Sequence, residues 1–215
     1  KKVGASANNF LSNASFSSIK IEIQYMPGFS PDASALNNTI AFLNSFINKS
    51  SGITVVQKQI ASSGKSIFSL SDVASVEQQN RTVFNTGNQL GVYILITDAA
   101  YTESNVLGVA FRNTSLCLFG KTIHDNSGNI GQVNRTKLET TVLEHEFGHL
   151  LGLVDIGSPM QTNHKDAAHG NHCNNSNCLM YYFSDTTDLL GFLLTVNFPA
   201  PDANCKAALH ANVGK

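Results

Sequence analysis

Charge is what this chain has least of. Lys, Arg, Asp and Glu make up 13% of its 215 residues, and the formal net charge is −1. That excludes a basic field for nucleic acid and any block of like charge. No apolar run approaches the length of a membrane span, and the opening "KKVGASANNF" has no signal-peptide hydrophobic region. A mature chain whose export signal has been removed is expected to look like this. Repeats and Pro-rich linkers are missing too, so the sequence reads as one continuous unit. Four cysteines are too few for a disulfide scaffold at this length. With charge so scarce, the polar surface falls to Asn, Ser and Thr, as in "NNFLSNASFSS" and "HGNHCNNSNC". Such a surface is common outside the cytoplasm, and a secreted, cell-surface or periplasmic location is expected.

What remains is core and pattern. Hydrophobic residues supply 42% of the chain, enough for a real core. Residues 1–17 read as a polar, loose N-terminal arm, and 18–215 as a single domain. "IKIEIQYM", Ile19 to Met26, alternates with period two and predicts a strand. A helix is expected from about Ser34 to Asn48, a second strand at "GITVVQKQI" and a second helix over "LSDVASVEQQNRTVF". "LGVYILITDAAY" is apolar throughout, as a central strand covered on both faces would be. "LGVAFR" and "SLCLFG" follow as shorter strands, the first at an edge. "NRTKLETTVLEHEFGHLLG" reads as a helix, with Thr136 and Glu139 as a capping box and Gly152 as its stop. A last helix is placed near Thr186 or Thr187. The order gives an α/β upper part to about residue 152 and a largely helical, loop-rich lower part from about 153.

The chemistry is concentrated in "LEHEFGHLLGLVD", Leu143 to Asp155. Residues i and i+4 of a helix share a face, so His145 and His149 can aim two imidazoles at one ion. Glu146, rotated by about 100°, stays beside the site without having to ligate. Such a carboxylate can take a proton from a zinc-bound water, which is the mechanical content of H-E-x-x-H. The surrounding helix is strongly apolar, so histidines there would be costly to bury without a partner. Gly152 lets the chain turn back, and Asp155 can reach the ion as third ligand. Met180 lies shortly downstream in "CLMYY".

"HEFGHLLGLVD" followed by "CLMYY" resembles the metzincin clan of zinc metalloproteases, with its extended zinc motif and Met-turn. Ending in Asp155, the motif is similar to the snapalysin-like branch. The resemblance implies a metzincin-like zincin fold: a twisted mixed sheet whose edge strand lies over an active-site helix. It implies Zn2+ on His145, His149 and Asp155, Glu146 as general base, and Met180 as an apolar floor. Tyr182 would ligate or stabilise the oxyanion, with Tyr181 as its rival. Leu107, Gly108, Val109, Ala110 and Phe111 would hold substrate by backbone pairing. The expected activity is that of a monomeric zinc endopeptidase on protein or peptide substrates. A metzincin-fold binding module without turnover and a zinc amidase for cell-wall peptides are the alternatives.

The loop "MQTNHKDAAHGNHCNNSNC" holds further donors. A Cys173–Cys178 disulfide is the preferred reading, which leaves Cys117 and Cys205 only each other. A second zinc on His169, His172, Cys173 and Cys178 and free thiols are the other two readings. His164, also in this loop, is another candidate ligand, as are His169 and His172 for the first ion.

Overall fold

The computed structural model describes residues 1–183, 186–195 and 198–215. Its strands and helices run in the order α1 (Ala7–Leu11), β1 (Ser18–Tyr25), α2 (Ala33–Phe46), β2 (Ile53–Gln59), β3 (Ile67–Phe68), α3 (Leu70–Asn80) and β4 (Gln89–Thr97). After them come β5 (Ala100–Tyr101), β6 (Gly108–Arg112), β7 (Ser115–Phe119), α4 (Gly120–Asp125), α5 (Arg135–Leu150), α6 (Thr186–Thr195) and α7 (Ala203–Ala211). The main sheet has the order β2-β1-β4-β7-β6. Its first four strands are parallel, and β6 is antiparallel to β7. Among the described residues no helix is long and apolar enough to cross a membrane.

The uninterrupted apolar run of β4 is explained by its central place. Leu90, Val92, Ile94 and Ile96 join the cluster that includes Leu43 of α2 and Leu143 and Phe147 of α5. Tyr93 and Leu95, on the alternate positions, join a second cluster with Phe68 and Val73 of α3's side. Successive side chains of a strand point to opposite faces, so a strand covered twice has no polar position to spare.

Three expectations are corrected here. Residues 1–17 are not a loose arm: Phe10 and Leu11 are wholly buried, and the Lys49 ammonium donates to the carbonyls of Asn9, Ser12 and Phe16. The helix ahead of the histidines is capped by Asn134, whose side chain accepts from Lys137 N. Thr136 and Glu139 instead serve a tertiary contact. Thr136 Oγ1 donates to Asp32 Oδ2, and Glu139 Oε1 accepts from Asp32 N at 2.8 Å, tying α5 to the start of α2. Finally, α6 starts at Thr186 as expected but is not the last helix. α7 follows, N-capped by Asp202, which accepts from Cys205 N at 2.9 Å.

Glu139 carries a pH signature. Burial raises its pKa from the ordinary 4.5 to about 7, against the Asp32 N–H, which favours the charged form. The neighbouring Asp32 charge raises it further and Arg135 lowers it. Between those pH values the folded chain keeps a proton that the unfolded chain releases, so this contribution to stability falls as pH rises. Glu139→Gln should therefore stabilise the protein relative to wild type at pH 8, by about 1–3 kcal/mol, and have little effect near pH 4. Parallel denaturant unfolding at the two pH values checks this; a difference that does not grow with pH contradicts it.

Candidate metal centre

α5 delivers two imidazoles to one point. His149 Nε2 lies 3.2 Å from His145 Nε2, as the one-turn spacing of the two residues permits. His172 completes the group from the polar loop: its ring stacks on His145 at 5.3 Å and stands edge-on to His149 at 5.1 Å. One nitrogen from each of the three lies within 4.8 Å of the others. Hydrogen bonds fix two tautomers. His145 Nδ1 donates to Leu179 O at 2.8 Å, and His172 Nδ1 donates to His169 O at 2.8 Å. Each Nε2 is then left with a lone pair.

Protons are poor competitors for those lone pairs. Burial, followed by the charge of His172, lowers the His145 pKa to about 4. Burial and its two histidine neighbours hold His149 well below the usual value, and burial lowers His172. One proton shared between His145 and His149 would satisfy one pair only. A cation satisfies all three nitrogens, and three imidazoles with an open fourth position are a zinc donor set. The residues present fit that ion.

Asp155, expected as the third ligand, lies exposed and outside this group. The chain beyond α5 winds through left-handed conformations at Gly152, Val154 and Asp155 (φ 78°, 58° and 65°). It closes on itself through Leu153 N to Gly148 O and Ser158 N to Gly152 O. That coil leaves Asp155 in solvent, and His172 takes the place beside the other two histidines. The aspartate-ending comparison has no support in this geometry.

Glu146 lies beside the cluster and is buried. Burial raises its pKa to about 8, opposed by a 2.5 Å hydrogen bond to Oε2 from Ala110 N on β6. The edge strand comes this close because residue 108 is glycine. A Cβ there would lie 2.7 Å from Val142 Cγ1 and 3.1 Å from Glu146 Oε1. Leu107 O accepts from Phe119 N of β7, so by antiparallel alternation the backbone groups of Gly108 and Ala110 face the cleft. Val109 and Phe111 pack into the second core cluster. The cleft has a volume of about 890 Å³ and runs between β6 and the histidines, with Tyr181, Tyr182 and Phe183 on its far wall. Tyr182 lies flat on His169 (4.1 Å, 13°) and edge-on to His172, whereas Tyr181 packs against Phe183. Met180 is wholly buried, with its sulfur 2.3 Å from where a Cβ on Gly148 would sit.

A second cluster lies behind this one. All four cysteines are free, so the expected Cys173–Cys178 disulfide is not formed, nor is a Cys117–Cys205 bond. Cys117 sits in the core cluster with Tyr93 and Phe119. Cys178 Sγ instead faces Cys205 Sγ of α7 at 3.6 Å, far beyond a disulfide bond. His164 Nδ1 is 3.4 Å from Cys173 Sγ and 3.9 Å from Cys205 Sγ, and Cys173 Sγ is 3.5 Å from Asp202 Oδ2. His164, Cys173, Asp202 and Cys205 thus bring their donor atoms within 4.8 Å of one another. The Cys205 hydrogen bond lowers the Cys178 pKa to about 7, while burial pushes Cys173 up to about 12. His164 is 1% exposed and its Nε2 has no partner. The donors differ from the second-zinc set expected from the sequence: His164, Asp202 and Cys205 enter, and His169, His172 and Cys178 fall outside the group. A third cysteine after C-x4-C was the signal available for Cys205; nothing local marked Asp202.

No protein-family model and no curated protein matches the chain. Among solved structures it resembles the archaemetzincin of Methanopyrus kandleri, at 14% identity and a TM-score of 0.58, over 92% of this chain and 96% of that one. A weaker likeness is to metalloproteinase-II of Bacteroides fragilis, at 16% identity and a TM-score of 0.49, over 93% of this chain and 54% of that one. The first of these shows a shared fold, in agreement with the zincin-like architecture expected from the sequence.

The packing under the histidines can be tested directly. Gly148→Ala should lower unfolding free energy by about 1–3 kcal/mol, because its methyl collides with a buried sulfur. Gly191, in α6, has open space around it. Alanine there should be neutral or stabilising by up to about 1 kcal/mol. Equal effects of the two substitutions in a denaturant titration would contradict the contact.

Proposed function

We propose that this chain is a zinc-dependent endopeptidase whose metal is held by His145, His149 and His172. The carrying observation is the convergence of three neutral imidazole nitrogens next to a buried carboxylate, in a cleft walled by a sheet edge. The fold shared with an archaemetzincin supports the reading. His172 replaces Asp155 in the ligand set, and the snapalysin-like comparison falls with that aspartate.

Zinc, when bound, would supply a water acidified to a pKa of about 7 and a Lewis acid for the scissile carbonyl. The protein's own groups do the rest. Gly108 and the carbonyl of Ala110 offer outward backbone groups, so an extended peptide can add to β6 as a further strand. Glu146 is positioned to take the water's proton on Oε1 while Ala110 N–H holds Oε2. It then hands that proton to the departing amine. Tyr182, edge-on to His172, is the assigned hydrogen-bond donor to the carbonyl oxygen. Met180 is assigned the Met-turn position, filling the space that Gly148 leaves open. The cluster of His164, Cys173, Asp202 and Cys205, with Cys178 beside Cys205, is assigned a second, structural metal.

Casein or gelatin should be cleaved, and a chelator should stop it. Glu146→Ala should keep its zinc and lose turnover by about 10²–10⁴-fold; full activity would remove the base assignment. His172→Ala should lose metal from this site, and Asp155→Ala should not. The opposite pattern in a metal assay would restore the aspartate.

Metal analysis of the purified chain should give two zinc ions. Cys205→Ser should give one and a lower melting temperature, with the histidine site still loaded. A single zinc in wild type contradicts the second site.

A further inference from the structure

His145 and His149 ride on a helix that is bonded into the core, but His172 comes from a polar loop. Some device must hold that loop for a ligand to be useful. Two of its stretches lie side by side. Lys165 and Cys173 form an antiparallel bridge, Asp166 N donates to His172 O at 2.8 Å, and Asn174 N donates to His164 O at 2.9 Å. The turn between them is organised by one carboxylate. Asp166 Oδ1 accepts from Ala168 N at 2.8 Å, while Oδ2 pairs with His169 Nδ1 at 2.6 Å. That fixes residue 169, whose carbonyl accepts the His172 Nδ1–H. Tyr182 closes the other side of the His169 ring.

We propose that Asp166 is a positioning residue for the third metal ligand: through Ala168 and His169 it aims the lone pair of His172 Nε2 at the histidine site. The proposal rests on the ligand set assigned above. It differs from a simple loop-stabilising role in one respect. The effect should be confined to the histidine site, because the sulfur cluster has its own contacts in α7. Partners of this kind, one bond removed from a metal ligand, are worth about 10–100-fold in metal affinity.

The test is a cobalt(II) titration of the full chain, followed by the visible d–d band. Thiolate charge-transfer absorption in the near ultraviolet reports the sulfur cluster in the same sample. Asp166→Ala should weaken cobalt binding at the histidine site by about 10–100-fold and leave the charge-transfer band unchanged. Asp166→Asn should recover most of the loss, since its Oδ1 can still accept from Ala168 N. Wild-type affinity in Asp166→Ala overturns the proposal, as does an asparagine variant no better than alanine. So does parallel loss of both signals, which would mean that the whole loop has come apart. His172→Ala separates this from the ligand assignment: if that variant binds cobalt like wild type, His172 is not a ligand, whatever Asp166 does.

Discussion

Three half-buried imidazoles aim their lone pairs at one point, and something has to answer them. His145 and His172 spend their Nδ1–H groups on the carbonyls of Leu179 and His169, so neither ring can turn its proton inward. His149 lies 3.2 Å from the first of them. Burial discourages protonation of all three, which leaves a cation as the partner that can satisfy the whole set. Contacts from several parts of the chain keep those three rings together.

That arrangement draws on distant parts of the chain. β4 and its neighbours give α5 an apolar bed through Leu143 and Phe147. The bonds between Asp32 and the Thr136–Glu139 pair fix where α5 begins. Gly108 lets β6 reach Glu146. On the far side, Leu179 holds His145, and the neighbouring Cys178 meets Cys205 of α7. His172 and Cys173 are adjacent in sequence, so the loop that supplies the third imidazole also supplies a sulfur to the second cluster.

What was legible in the sequence was local. Period-two alternation located β1, and the unbroken apolar run located β4. The spacing of His145, Glu146 and His149 carried its own geometry, because a helix converts sequence distance directly into position. The third imidazole of the group is not local. Asp155 is the nearest further donor in sequence, whereas His172 lies on a polar loop whose ordering costs conformational entropy. Asp166 and the sulfur cluster offset that cost, and neither can be seen without the fold. The cysteines failed for the same reason. Cys173 and Cys178 are near each other in sequence, but their environment is completed by His164 and by Cys205 on α7, both distant along the chain from Cys178. Thr136 and Glu139 have the spacing of a capping box, but the same two side chains can serve a cap or a neighbouring helix, and only α2's position decides.

Motif notation treats the two residues between Glu146 and His149 as free choices. In this chain one of them is not. Residue 148 faces a methionine that is entirely enclosed, and a Cβ there would sit 2.3 Å from its sulfur, so an extra carbon has to displace it. The pattern H-E-x-x-H therefore carries less than the working specification, which here reads H-E-x-G-H with a methionine supplied from another part of the chain. A search written with that pairing would ask for two segments that fit each other, and would pass over proteins in which the short word occurs by accident.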